Sequence, residues 1–396
     1  KDLLTMRVRN RASYVQEILR NAEDLEQLSE QITATTQQLL KSGDISLDTL
    51  DNSSEQSDAL LVALAPQLLD TLRTKQVTGI FLILNTHDLD TCEVGKKMPG
   101  IYLRDMDPDA RPSERNSDLL LERASATVVK ELAIGTDKGW QPAFPYQGDT
   151  KGGILRTVFQ TAYKSDAGLS AESYGRWTTN SYCLAGDDRH AIAYSMPLIL
   201  PDGTVYGVVG VELLTDYLQT KLPFTELDED KAGTYFIVTT TDGALTDGVL
   251  SLRKTVTSGE DLITADAPLG VLNCRSNGSG GNWVELNDKR YYMVLEPLQV
   301  YNRNAPFAAE KWFLAGTMEQ SVLLAFSSRV REVLLTTIAI TLVLSVLGSL
   351  LVSARLARPI NRLYREVIDA QEKKTFPRLS LSLIHISEPT RLRCIS

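Results

Sequence analysis

The 396-residue sequence has only three histidines and four cysteines. The cysteines, Cys92, Cys183, Cys274 and Cys394, lie far apart, show no metal-ligand spacing and have no histidine or carboxylate cluster beside them. That pattern argues against a zinc site and against a disulfide framework. No Gly-rich phosphate cradle precedes a helix, and neither an HExxH nor a GxSxG motif supports catalysis. His190 and Ser195 share one strand-like run but sit five apart, so they face opposite sides and form no nucleophile–base pair. Positive charge is also scarce. Lys and Arg number 41 against 50 Asp and Glu, and the formal net charge of −9 speaks against nucleic acid as a partner. On these grounds no catalytic residue, metal or cofactor is expected.

Charge vanishes altogether from Val333 to Ala354, where VLLTTIAITLVLSVLGSLLVSA runs for 22 residues. At 1.5 Å per residue this crosses a hydrocarbon core of roughly 30 Å, and its Thr and Ser hydroxyls can bond back to their own helix. Arg355, Arg358, Arg362 and Arg365 follow at once and mark the cytoplasmic side. Residues 1–332 are therefore read as extracellular, 355 onward as cytoplasmic, with a single span in membrane lipid.

The exterior opens on a helical stripe: Leu4, Val8, Val15, Leu19, Ala22, Leu25, Leu28, Ile32 and Leu39, with no Gly or Pro before Gly43. This predicts one long helix over 1–42, serving either as a face of its own domain or as a seam pairing with a second copy. Asp51–Ser54 is a capping cluster for a second helix running to about Lys75, with Pro66 inside it. Val77–Leu84 reads as a central strand and Ile101–Leu103 as its neighbour. Asp105–Pro112 reads as a turn-rich loop, Leu119–Leu132 as a helix and Trp140–Gly153 as loop. Three strands are expected at Ser173–Tyr182, His190–Leu200 and Thr204–Leu213, joined by AGDD and PDG turns, with a helix over Leu213–Leu222. A second, smaller strand set follows at Gly233–Gly243, Asn282–Leu286, Lys289–Leu298 and Lys311–Met318, with a tight turn at Asn287–Lys289 and a flexible SNGSGG connection. The fold class is α+β: a long N-terminal helix, two modules with antiparallel sheets, one membrane helix and a cytoplasmic coiled-coil helix.

The stretch IAYSMPLILPDGTVYGVVGVELLTDYL, Ile192–Leu218, resembles the strand–turn–strand signature of the double Cache (PAS-like) sensors of bacterial transmembrane receptors. Past the membrane, Arg358-Pro359-Ile360 and the seam Ile360, Leu363, Val367 and Ala370 resemble the opening helix of a HAMP linker, with QEKKTF where that helix usually ends in Gly-Asp. Leu103–Pro108 and Ser117–Ala124 are similar to sensors that precede diguanylate cyclases in Clostridia. Leu381–Arg391, LSLIHISEPTR, resembles translated sequencing-adaptor sequence, so the natural chain is expected to continue beyond about Ser380, and to extend upstream of Lys1.

The resemblance implies a sequence of parts. They are a membrane-proximal or dimer helix over 1–45, a membrane-distal module over 46–232, a proximal module over 233–325, a membrane helix over 326–355, a partial HAMP linker over 356–380 and an artefact over 381–396. It implies ligand sensing at the plasma membrane of a bacterium. The expected partners are a small polar metabolite outside the cell and, as a homodimer, a second copy. The lost output is a diguanylate cyclase, with a chemotaxis protein, a histidine kinase or an anchored binding module as alternatives. The family's amino-acid-binding run maps onto Arg156 and Phe159, its later Tyr onto Tyr182 and its Asp onto Glu212. Trp177, Arg104 and Asp105 complete the candidate ligand-binding set. Glu212 draws notice by itself, because it ends an apolar strand where a buried acid is costly unless paired, with a ligand ammonium or with Arg156.

Overall fold

The computed structural model describes residues 2–52, 54–93, 95–110, 118–146, 154–165, 168–227, 233–246, 249–257, 274–275, 282–286, 289–302 and 305–372. The chain divides into two compact units, Lys1–Leu323 and Leu324–Ser396.

The first unit begins with α1 (Asp2–Glu23) and α2 (Glu26–Ser42), then α3 (Glu55–Thr74), whose Ser54 cap accepts from the Ser57 amide. The strands that follow are β1 (Gly79–Leu84), β2 (Lys97–Met98), β3 (Gly100–Asp105) and β4 (Leu119–Arg123). After α4 (Ala126–Leu132) come β5 (Thr136–Gln141) and β6 (Phe144–Pro145), then α5 (Arg156–Tyr163) and β7 (Arg176–Trp177). β8 (Ala191–Ile199), β9 (Val205–Leu214) and α6 (Thr215–Thr220) complete this part. Seven of these strands form one sheet in the order β5-β4-β3-β1-β9-β8-β7, while β2 and β6 pair apart from it. The strands expected at Val77–Leu84, His190–Leu200 and Thr204–Leu213 do lie side by side and antiparallel in one sheet, but the sheet as a whole is mixed rather than antiparallel, because β4 and β5 pair in parallel. The PDG turn closes with Leu200 N–H on the Thr204 carbonyl, and Gly203 sits at φ +88°, the left-handed region that glycine enters without strain.

A second sheet has six strands, ordered β12-β11-β10-β15-β14-β13. They are β10 (Gly233–Thr246), β11 (Val249–Thr257), β12 (Cys274–Arg275), β13 (Asn282–Leu286), β14 (Lys289–Leu298) and β15 (Trp312–Glu319). The SNGSGG connection and most of the Asn287–Lys289 turn lie outside the described residues. β15 runs on into α7 (Gln320–Glu372), a helix of 53 residues that passes through Pro359. It is the helix, among the described residues, long and apolar enough to cross a membrane. At 1.5 Å per residue it spans roughly 80 Å against a core of about 30 Å, so it continues well beyond the apolar stretch.

Four local expectations are corrected. The single helix over 1–42 is two helices, broken at Asp24-Leu25. No Gly or Pro causes the break. It arises because α1 packs on β14 and β15 whereas α2 packs on α3 and β8, so one straight helix cannot follow both sheets. Its stripe from Leu4 to Ile32 is buried within the unit as a face of its own domain. Leu119–Leu132 is a strand and then a helix, since its short apolar run suits either state and sheet pairing with β3 decides. Ser173–Tyr182 is a 3-10 turn, the two-residue β7 and an isolated bridge from Tyr182 to Ala191. Trp140–Gly153 holds the end of β5 and β6, its remainder from 147 lying outside the described residues.

α1 approaches the second sheet closely at Gly316 on β15. A Cβ there would meet Val8 Cγ2 at 2.2 Å. Gly316→Ala is expected to lower stability by about 1–3 kcal/mol, the usual cost of overpacking. Adding Val8→Ala should return part of the lost thermal midpoint, and additive losses would deny the contact.

Candidate ligand-binding site

The seven-stranded sheet has two unlike faces, set by alternation along its strands. On β3, Ile101 and Leu103 join the apolar layer of α1–α3, while Tyr102 turns to a second cluster that includes Phe81, Phe144 and Phe159. Arg104, two residues on, lies on the Tyr102 side. Gly79 of β1 stands opposite Arg104 on one side and opposite Glu212 of β9 on the other. A Cβ on Gly79 would sit 2.9 Å from Glu212 Oε1 and 3.1 Å from the Leu103 carbonyl oxygen. Its lack of a side chain leaves the space in which Arg104 and Glu212 meet.

They meet end to end. Arg104 Nε donates to Glu212 Oε1 and Nη2 to Oε2, both at 2.7 Å. Tyr102 Oη donates to the same Oε2 at 2.5 Å and lies 2.8 Å from the Tyr182 hydroxyl. Arg104 Nη1 donates to Glu122 Oε1 at 2.9 Å and to Asp187 Oδ2 at 2.5 Å. Arg189 extends the web. Its Nη2 donates to Glu122 Oε1 at 2.9 Å and Asp137 Oδ2 at 2.5 Å, and its Nε to Asp187 Oδ1 at 2.8 Å. Arg123 holds the adjoining loops by donating to the carbonyls of Glu122, Gly139 and Ala185. Arg104, Glu122 and Glu212 have no solvent exposure at all.

Electrostatics follow from that burial. Burial opposes the Arg104 charge, but Glu212 more than offsets it and holds the guanidinium above its usual range. Burial together with Glu212 pushes the Tyr102 phenol well up. Asp187 resists its own burial because Arg189 and Arg104 bond it, and its carboxyl falls to about 2. Glu122 is the exception. Burial raises it to about 7 despite Arg104 and Arg189, and its Oε2 has no hydrogen-bond partner among the described residues. A cleft of about 320 Å³ opens at the edge of this web, with Arg189 in its wall beside Thr78, Asp109, Asp216 and Tyr217.

The structure thus brings together Glu212, Arg104 and Tyr182 of the seven residues singled out in the sequence. It pairs Glu212 with Arg104, not with Arg156. Arg156, on α5, is half-exposed and bonds Asp90 and Tyr146. Phe159 belongs to the apolar cluster covering this face. Trp177 lies on the opposite face, packed on Tyr194 and Trp312, with its Nε1 donating to Glu23 Oε1 at 2.6 Å. Asp105 also turns away, accepting from the Asp107 amide at 3.0 Å. Sequence reasoning missed Gly79, Tyr102, Glu122, Asp187 and Arg189. Two signals were available: a glycine inside a fully apolar strand, and Tyr102 two residues from Arg104 on one strand face.

No family model matches the chain, and no curated protein matches it. Solved structures similar to it include the periplasmic sensory domain of a Campylobacter jejuni chemoreceptor, 13% identical, covering 81% of this chain and 95% of that one at a TM-score of 0.45. The ligand-binding domain of a Pseudomonas aeruginosa amino-acid chemoreceptor in complex with GABA is 15% identical, covering 78% and 96% at 0.37. That of a Pseudomonas fluorescens chemoreceptor in complex with L-alanine is 14% identical, covering 75% and 96% at 0.32.

Removing one member of a buried pair strands the other. Arg104→Met is therefore expected to cost about 3–5 kcal/mol, read as a loss of thermal midpoint well beyond that of Arg156→Met on the surface. Glu122 adds a pH dependence. Its folded-state affinity for a proton exceeds that of the unfolded carboxyl, near 4.5, so stability declines as pH rises from there to about 7. Glu122→Gln should flatten that part of the stability profile, and an unchanged slope would refute the assignment.

Proposed function

We propose that this chain is the sensing part of a bacterial membrane receptor, with an extracellular double Cache exterior. In this reading residues 46–232 are the membrane-distal module and 233–325 the proximal one. Residues 326–355 cross the plasma membrane, with 1–332 outside and 355 onward inside, and 356–380 begin a HAMP-like linker. The observation that carries the reading is the buried Arg104–Glu212 pair on the first sheet, in a chain whose second sheet continues from β15 into the long apolar helix.

The pair also suggests how a small polar metabolite is held. Glu212 offers a carboxylate that a ligand ammonium group can take, and Arg104 offers a planar fork that suits a ligand carboxylate. A zwitterion replaces both halves of the internal pair at once, so neither charge is left stranded. Tyr102 and Tyr182 supply hydroxyls beside it. Binding of this kind distinguishes two states of the sheet, paired and ligand-bound, which is what a signal requires. The output behind the linker is taken to be a diguanylate cyclase, on the resemblance of Leu103–Pro108 and Ser117–Ala124. A chemotaxis or kinase output would use the same front end, and the domain content of the full-length gene product decides among them.

The ligand test is thermal shift of the full chain in detergent micelles against small zwitterionic metabolites. A ligand at about 100 times its dissociation constant should add roughly 2.7 kcal/mol. Glu212→Gln should remove that increment while the unliganded protein still melts cooperatively. Full stabilisation of Glu212→Gln would sink the site, whatever becomes of the receptor reading.

A further inference from the structure

A second concave site lies on the other face of the first sheet, where α1 ends. The cleft has a volume of about 330 Å³ and is walled by Arg20, Glu23 and Asp24 of α1 and its break, Glu172 of the 3-10 turn before β7, Tyr194 of β8, and the strap residues 299–302 and 305 between β14 and β15. It is therefore bounded by both sheets and by the hinge between α1 and α2. Three carboxylates face one arginine here. Lys75 also pairs with Asp24, at 3.5 Å, on the outer side.

Two further observations point to an occupant. Tyr194 is more than nine-tenths buried, packs against Trp177 with ring centres 5.7 Å apart and planes tilted at 49°, and lines the cleft, yet its hydroxyl has no hydrogen-bond partner among the described residues. Glu23 is fixed by the Trp177 Nε1–H at 2.6 Å on Oε1 alone. The carboxylates are also short of positive charge. Burial raises Glu23 to about 7, and burial with Glu26 and Asp24 nearby raises Glu172. A metal ion does not fit, because no group of three acidic, His or Cys side chains among the described residues is gathered closely enough to hold one. The charges are spread along the cleft, which calls for an extended cation.

We propose that this cleft binds a small organic cation, a primary amine or diamine, with its ammonium groups on Glu23 and Glu172 and a hydrogen bond to the Tyr194 hydroxyl. The site is separate from Glu212 and does not rest on that reading. Its occupant bridges the first sheet, the α1–α2 hinge and the strap leading to β15, and so stiffens the junction of the two modules. Alkyl stems pack on Tyr194 and Tyr301, whose faces also attract the cation.

The test is calorimetric titration of the full chain in detergent micelles with 1,4-diaminobutane, against 1,4-butanediol as the uncharged control. Saturable binding of the diamine and none of the diol are expected. The Glu23→Gln/Glu172→Gln double variant should bind at least about tenfold more weakly, since each lost charge pair in a partly desolvated cleft weakens association. Tyr194→Phe should weaken binding severalfold, while Tyr182→Phe at the other site leaves it unchanged. Lowering pH from about 8 to about 6 should weaken binding in the wild type and not in Glu23→Gln, because the ligand then competes with a proton. Equal binding of the diol, undiminished affinity in the double variant, or no binding of the diamine would each overturn the proposal. If the double variant fails to fold, Glu172→Gln, on an exposed turn, is titrated alone, and undiminished affinity there overturns the proposal equally.

Discussion

A guanidinium shut away from water survives only when its donors meet acceptors and its charge meets an opposite charge. Arg104 fulfils both conditions on three elements at once: Glu212 on β9, Glu122 on β4 and Asp187 in the turn before β8. Those contacts join strands on both sides of the sheet centre to a loop above it. Backbone pairing alone would hold β3, β1 and β9 together, but it would not fix the loop that carries Asp187 and Arg189. The web does, and so it decides the shape of the face on which a ligand would rest. Gly79 is its silent condition, since any side chain there would meet the Glu212 carboxylate.

The same web makes the two faces of the sheet unequal in energy and in adaptability. The α1–α3 face is largely apolar and closely packed. The opposite face mixes Phe81, Phe144 and Phe159 with the buried charges of Arg104, Glu122 and Glu212. Charge pairs of this kind are poor evidence for stability, because their desolvation offsets most of their attraction. They are better suited to a site that alternates between an internal partner and an external one. Glu122, with one oxygen lacking a hydrogen-bond partner among the described residues, leaves the web with an unused acceptor.

Much of the architecture was legible because periodicity reports burial directly. The β8–turn–β9 unit follows from two largely apolar runs joined by Pro201-Asp202-Gly203, and the membrane helix from an uncharged run. Glu212 was legible as an acid where none should be free. Its partner was not, because Arg104 is 108 residues away and only the register through Gly79 brings them together. Glu122 and Arg123 were hidden for another reason: LLLER carries no period that distinguishes a strand from a helix turn, and pairing with β3 settles it. The break at Asp24-Leu25 leaves no trace in composition. It is imposed by the need of one helical stripe to serve two sheets.

That last constraint bears on how the two sheets are joined. α1 packs on β14 and β15, while α2 and α3 cover the first sheet, so the break at Glu23–Leu25 lies between the two packing surfaces. Glu23 is tied there to Trp177, and Trp177 packs on Trp312 of β15. The hinge and the strand that becomes α7 are therefore linked by two steps of direct contact. A packed core does not deform by degrees, so small shifts at either end tend to resolve into discrete arrangements. On the proposal above, such a junction is responsive because its polar members, Glu23 and Tyr194, are incompletely matched, while its apolar members hold the distances fixed. An apolar hinge of the same shape would transmit motion equally well, but it would offer no chemistry through which a solute could bias it.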